Sequence, residues 1–459
     1  MSKRVVVVGG GVAGLTTAYR LLRAESDSPE VTVLEADETP GGKVRSAVVG
    51  GLELEAGPDS LLARKPAAVE LAKELGIDDL VPAATGKTFI WSDGRLLRFP
   101  TGPFGISTDV GEMLRWPGMS YAGKVRAGAD LVLPARKEMG DESLGSLLRR
   151  RIGDEATDKL VAPLLGGLFA GDIDRLSVQA TFPELGAWER DHGSLVRGAR
   201  AASNAARGRT PPPMFVRLRG GLRRLTEALA EAVGTERLRC GVTVEEVRRE
   251  GDGYVLVADG TEYPADAVVF ASPAFATADL VEALAPDAAR ELRQIPYVST
   301  AVALLVYGEG TGSELPDSSG FVVPRGRLAM TACTLVSRKW PDESFGDRAV
   351  VRCFVGATGT QEDLERSDEE LLAVLSSEIA DVLPLPEMQD DAKVIRWPSA
   401  MPQYEVGHLE RVAAIERALS PGTFVVGQAY RGAGIPDCVR QGGEVAGRVL
   451  ATLRGDPAA

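Results

Sequence analysis

The chain has 459 residues, enough to bury a large core and to divide into two or three domains. Its 52 basic and 65 acidic residues leave a formal charge of −13, which argues against nucleic acid as a main partner. Four dispersed cysteines (Cys240, Cys333, Cys353, Cys438) and two histidines offer no disulfide framework, no zinc site and no histidine-built metal centre, so no metal ligand is assigned. No leader segment precedes the first strand, and no apolar run reaches the length of a membrane span. The expectation is a soluble or at most peripheral, cytoplasmic protein.

In chain order, Arg4-Val-Val-Val-Val8 reads as a buried parallel strand. Gly9, Gly11 and Gly14 follow at GxGxxG spacing, and residues 15–23 read as a helix. Such glycines make a tight turn, admit backbone close to a pyrophosphate and let helix pack on strand. The helix N-terminus then offers N–H groups and a positive dipole end to phosphate. The candidate contacts are Gly9, Gly10, Gly11, Val12, Ala13 and Gly14. The strand Val31-Thr-Val-Leu-Glu35 ends in an acid about 20 residues beyond Gly14, the reach of a ribose carboxylate. Strand, glycines, helix, strand and acid together imply a bound dinucleotide.

Ala36 leads into Gly41-Gly42, where the loop can fold close to something bulky. Lys43 and Arg45 beside it suit a phosphate or a flavin edge. Glu55-Ala-Gly-Pro-Asp-Ser60 reads as a turn between strand and helix. Residues 66–75 predict a helix stopped by Gly76, and residues 89–98 a hairpin turned at Asp93-Gly94. Residues 108–188 read as a helical insertion, with helices over 122–133, 144–151 and 154–165. Arg149-Arg150-Arg151 reads as a solvated helix end. Residues 203–213 read as a mobile loop, followed by a helix running to Val233. Strands at 243–247, 254–257 and 267–271 return the chain to the nucleotide domain. Strands at 300–307, 328–336 and 349–355 suit a mixed or antiparallel sheet, and 370–383 a helix. The last segment mirrors the first: a strand at 423–426, a glycine-rich crossing to Gly434, then a helix to about Leu453 opened by Ile435-Pro436-Asp437.

These motifs coincide with Ala162-Pro-Leu-Leu-Gly-Gly-Leu-Phe-Ala-Gly-Asp172, Leu176-Ser177, His192-Gly-Ser-Leu195, Lys339-Trp-Pro341, Met401-Pro-Gln-Tyr-Glu-Val-Gly-His408 and Gly434-Ile-Pro-Asp-Cys438. Together, and essentially end to end, the chain resembles the FAD-dependent porphyrinogen oxidases of haem biosynthesis. Arg64-Lys65, Met-Pro-Gln-Tyr and Gly-Ile-Pro-Asp-Cys look closest to the bacterial branch that oxidises coproporphyrinogen III. The resemblance implies an α/β fold with three parts. A Rossmann-like FAD domain of the p-hydroxybenzoate-hydroxylase and amine-oxidase type would span 1–81, 222–275 and 401–459. A mixed-sheet substrate domain would span 82–107, 189–221 and 276–400, and a small helical domain 108–188. It implies a six-electron oxidation in three flavin cycles, with O₂ consumed and H₂O₂ released.

The resemblance also implies FAD contacts at Gly9 to Gly14, Glu35, Ala36, Gly42, Lys43, Gly57, Pro58, Asp59, Ser60, Val244, Trp397, Gly434, Ile435 and Pro436. The N-terminus of the last helix would face the pyrimidine edge of the flavin and stabilise the anionic reduced ring. Val244 and Trp397, without the resemblance, read as core. No acid–base dyad is visible, and no catalytic base is assigned. Arg64-Lys65 reads equally as a propionate clamp or as a solvated helix start. His192 and His408 read as structural, hydrogen-bonded histidines. Cys438 reads as a small buried thiol and FAD as non-covalent. The expected partners are coproporphyrinogen III, O₂ and, in passing, the metal-inserting enzyme of the pathway. Protoporphyrinogen IX oxidation is the alternative; amine or carotenoid oxidation and a non-enzymatic flavin-binding role are further ones.

Overall fold

A computed structural model describes residues 3–24, 28–137, 140–205, 213–340 and 342–456. Its organising layer is a five-stranded, wholly parallel sheet. The Arg4–Val8 strand lies at its centre, between Glu30–Glu35 and Ala267–Phe270. Leu238–Cys240 and Thr423–Val425 form the two edges. Buried on both faces, Val5 to Val8 need no polar alternation, which is why the run is continuous. One face packs on the helices Val12–Leu22, Arg223–Val233 and Ile435–Arg454.

The other face is covered by an antiparallel layer of Val244–Glu250, Gly253–Ala258 and Thr261–Ala265. Of the three returning strands read from the sequence, only Ala267–Phe270 joins the parallel sheet. Thr261–Ala265 is an additional strand that the Pro264 in its interior hides from sequence reading.

A second large sheet has seven strands. The hairpin Thr88–Ser92 and Arg95–Arg98 forms one side, followed by Gly320–Val322, Met330–Leu335, Arg348–Val355, Tyr297–Glu309 and, at the far edge, Asp391–Pro402. Only the pair Gly320–Val322 with Thr88–Ser92 is parallel, so the sheet is mixed as expected. Pro398 obscured the Asp391–Pro402 strand in the sequence. An edge strand tolerates proline because one row of its N–H groups is unpaired.

Helices predominate in residues 110–137 and 140–205, with Leu144–Ile152 and Leu195–Ala205 packed in one cluster around Leu147, Leu148 and Phe182. The predicted 122–133 helix stops earlier, at Gly128, and continues as a single 3₁₀ turn. Of the expected 203–213 loop, residues 203–205 end a helix and 206–212 lie outside the described residues. Two other expectations are corrected here. Arg151 is fully buried, because its guanidinium closes a knot with Asp130 and four backbone carbonyls, so the arginine run is not a solvated helix end. Its neighbours are half-buried and paired: Arg149 with Asp154, Asp158 and Asp174, Arg150 with Glu142 and Glu189. His192 ends the Pro183–His192 helix exposed beside Asp191, and among the described residues its ring makes no hydrogen bond, so it is not the hydrogen-bonded histidine expected.

Candidate functional site

The glycine turn sits at the carboxyl end of the central strand, where ligands of open parallel sheets bind. Gly9 N–H donates to the Leu34 carbonyl at 2.8 Å, and Gly41 N–H to the Gly10 carbonyl at 2.9 Å. A Cβ on Gly14 would lie 2.0 Å from the Gly9 carbonyl oxygen, so only glycine allows this helix to approach its strand. The helix begins at Val12 with no side-chain cap on Gly11. Its first-turn N–H groups are thereby left for an anion. Glu35 is buried at the end of the neighbouring strand, accepting from Gly10 N–H at 2.5 Å and Asp37 N–H at 2.9 Å. Val242 N–H donates to the Glu35 carbonyl at 2.9 Å, which brings the chain to Val244 along this same edge.

Beyond the glycine turn, Gly11 and Gly41 form a β-bridge. Lys43 Nζ donates to the Ala400 carbonyl at 2.8 Å, and burial pushes its pKa down to about 8. The 56–60 turn follows: Ala56 N–H donates to the Arg45 carbonyl at 2.8 Å. A Cβ on Gly57 would lie 1.8 Å from the Lys43 carbonyl oxygen, so this turn too must be glycine.

The large sheet grips the turn from behind. Trp397 Nε1–H donates to the Ala56 carbonyl at 2.9 Å, and Arg352 Nη2–H to the Gly57 carbonyl. Lys339 Nζ reaches Asp59 Oδ2 at 2.8 Å and Trp340 Nε1–H the same oxygen at 3.3 Å. Ser60 Oγ–H donates to Asp59 Oδ1. These cations hold the Asp59 carboxyl far below the usual carboxylate range despite its burial.

The far crossing closes the same region. Gln428 Nε2 donates to the Ala400 carbonyl at 2.6 Å, so Lys43 and Gln428 share one acceptor. Tyr404 Oη–H donates to the Gln428 carbonyl at 2.5 Å and accepts from Gly432 N–H at 3.0 Å. The His408 ring stacks on Tyr404 at 4.0 Å, and its Nε2 lies 2.9 Å from the Tyr430 carbonyl. His408 is thus structural, and burial pushes its pKa down to about 4. The final helix opens at Ile435 and Pro436 with Gly434 as an extended, uncapped N-cap.

Residues 12–450 match the family of flavin containing amine oxidoreductases. The chain is 34% identical to a coproporphyrinogen III oxidase of Bacillus subtilis, covering 96% of each chain. It is 31% identical to that of Staphylococcus aureus, over 99% of this chain and 100% of the other. A solved structure from Exiguobacterium sp. 255-15, provisionally named a protoporphyrinogen oxidase, superposes with a TM-score of 0.89 at 33% identity over 99% of both chains. The chain belongs to the flavin containing amine oxidoreductase family.

The flavin oxidoreductase uses FAD, and its residues fit that group. Two uncapped helix N-termini, a lysine whose ammonium meets only a carbonyl, and two glycine turns with no room for a side chain suit a long, doubly charged dinucleotide. The structure brings the candidates into three neighbouring segments: 9–14 with 35–36, 42–43 with 57–60, and 434–436. It gives Asp59 and Trp397 a second role, because both side chains are spent on holding the 56–60 turn.

Arg64 and Lys65 part company. Lys65 Nζ is ion-paired with Asp437, 2.9 and 2.8 Å from its two oxygens, on the first turn of the final helix. Arg64 is exposed, its guanidinium 5.5 Å from the Phe104 ring centroid. The Cys438 thiol is buried one residue further on, pushed up to about 12 by desolvation. Sequence reasoning missed Arg352, Arg217 and Glu55 as a buried group; no local motif marks residues that meet only in the tertiary structure. Among the described residues no helix is long and apolar enough to cross a membrane, and no cluster of His, Cys, Asp or Glu is placed to hold a metal.

Proposed function

We propose that this flavin oxidoreductase oxidises coproporphyrinogen III to coproporphyrin III in the cytoplasm, with O₂ as acceptor and H₂O₂ as product. The observation that carries the reading is full-length identity of about one third to relatives bearing that name, combined with an intact dinucleotide cradle. FAD, when bound, supplies the two-electron acceptor of each cycle.

The protein's own part is placement. The glycine turn and Glu35 hold the adenosine end; Lys43 and the first turn of the final helix face the flavin end. Trp397, Arg352 and Lys339 fix the 56–60 turn between them. Aromatisation of the macrocycle drives the chemistry, so positioning and exclusion of water suffice, and no general base is required. Four propionates call for cations at the rim. The exposed Arg64 is the candidate for one of them, with Lys65 serving to tie its loop to the final helix. FAD is held non-covalently, since a Cys438 thiol with so high a pKa is a poor nucleophile. The porphyrin product then passes to a metal-inserting enzyme.

An amine oxidase would need an open aromatic pair at the flavin. Tyr404 is instead packed on His408, and Tyr430 lies in the core beneath the parallel sheet. The deciding experiment is an aerobic assay on both porphyrinogens by product fluorescence. A larger kcat/KM for the tetracarboxylate is expected; a much larger one for protoporphyrinogen IX would transfer the assignment to that substrate.

A further inference from the structure

Between the seven-stranded sheet, the Leu52–Glu55 strand and the Phe215–Leu218 strand lies a group of charged residues that the cradle does not account for. Arg352 stands on Arg348–Val355, the third strand in from the Asp391–Pro402 edge, between Leu304 and Thr334. It is 3% exposed, and only Nη2 finds a hydrogen-bond partner, the Gly57 carbonyl. Its Nε and Nη1 are buried without a partner, as are Glu55 Oε2 and Arg217 Nε. A cavity of about 30 Å³ separates these atoms, lined also by Asp59 and Trp340. A guanidinium remains protonated in any protein environment, so Arg352 keeps a full positive charge at this buried position.

The placement of that charge gives it a use. From Gly11 the contacts run to Gly41, then Lys43, then Gly57, away from the phosphate end of the cradle. Under the proposed function Lys43 faces the flavin end, and Gly57 packs directly on the Lys43 carbonyl, so the 56–60 turn lies at that end too. We propose that Arg352 is a positioning residue for the flavin, fixing the Gly57 carbonyl and setting a positive electrostatic background for the reduced ring. This rests on the assignment of the protein as a flavoenzyme.

Glu55 opposes Arg352 across the cavity. Its Oε1 accepts from Leu222 N–H at 2.6 Å, and burial pushes its carboxyl up to about 7. The charged groups facing it are Arg352 from the sheet, Arg217 from the Phe215–Leu218 strand and Asp59 from the turn, with Lys339 beyond Asp59. Glu55 is therefore neutral below about pH 6 and begins to offset Arg352 above pH 7.

The test is an anaerobic equilibration of purified holoenzyme with a reference dye, for wild type, R352M, R352K and E55Q. R352M is expected to move the oxidised-to-reduced ratio about tenfold toward oxidised flavin, about 30 mV for a two-electron couple. R352K, which keeps the charge, should restore most of that ratio while releasing FAD more readily in dialysis. E55Q should shift the ratio toward reduced flavin at pH 8 and leave it unchanged at pH 5.5. Opposite shifts from R352M and E55Q are not produced by loosened packing. If R352M does not fold, the E55Q pH profile decides by itself. Bound FAD with ratios unchanged in every folded variant overturns this proposal alone; wild-type protein that binds no FAD overturns the flavoenzyme assignment with it.

Discussion

Arg151 Nε lies 2.6 Å from Asp130 Oδ1, and neither side chain has any exposed surface. The remaining guanidinium N–H groups donate to carbonyls of Asp130, Leu133, Pro134 and Gly193, and Asp130 Oδ2 accepts from Ser194 Oγ and Val196 N–H. Three separate helical segments meet at this one pair. Removing a single partner strands a buried charge, so R151M or D130A should cost about 3–5 kcal/mol in urea unfolding. An R151M/D130L double variant should recover much of that loss, which the sum of two independent losses would not.

Lys43 binds protons weakly in the cofactor-free protein, with a pKa of about 8. An approaching phosphate or flavin anion favours the charged ammonium. FAD binding between pH 8 and 9 should therefore take up a proton, seen as a dependence of the calorimetric binding enthalpy on the ionisation enthalpy of the buffer. The dependence should vanish at pH 6.5 and in K43R, whose side chain is charged throughout.

Arg64 and Lys65 should separate kinetically. R64Q should raise KM for coproporphyrinogen several-fold with little change in kcat, as expected for a cation that grips a carboxylate throughout the reaction. K65Q frees the first turn of the final helix from its tie to Asp437 and should show instead as faster FAD loss on dilution. Equal KM effects from both would mean that the two act together on substrate.

Cys438 predicts the fate of the flavin on denaturation. With the thiol pushed up to about 12, acid precipitation should leave all FAD in the supernatant, and C438A should retain a full complement of flavin.

The pH dependence of stability should carry the mark of His408. Its pKa is about 4 in the fold against an ordinary 6.5, so the unfolded chain binds more protons between these values. The neutral ring's contribution is complete above pH 6.5 and is lost as pH falls toward 4, on the order of 3 kcal/mol. H408N should flatten this limb of a stability-versus-pH curve measured by urea unfolding, and leave the region above pH 7 unchanged in slope.

What could be read in the sequence was what is contiguous. The Gly9–Gly14 turn, its two strands and Glu35 need only local spacing, and each falls where expected. The grip on the 56–60 turn was not readable in that way. Lys339 and Arg352 reach it across nearly 300 residues, one from the end of the short Val336–Lys339 helix and the other from a strand whose own pattern says only that it is buried. The three arginines at 149–151 have one composition but three directions. Only the helical phase turns Arg151 inward to Asp130, and composition does not reveal which residue faces a neighbour that is not yet placed. The Asp391–Pro402 strand went unread: a proline inside it is acceptable at a sheet edge, and edge position is a property of the sheet and not of the segment.

The Ala400 carbonyl, which receives both Lys43 and Gln428, ties the beginning of the chain to its end through a strand completed near residue 402. A ribosome delivers these parts in order. The glycine turn emerges long before the edge strand Thr423–Val425 and the helix that follows it. The nascent chain must therefore hold a sheet with one edge unfilled until that strand has emerged. Contacts this distant in sequence close slowly. A chain stopped before residue 423 should in consequence leave the ribosome without FAD.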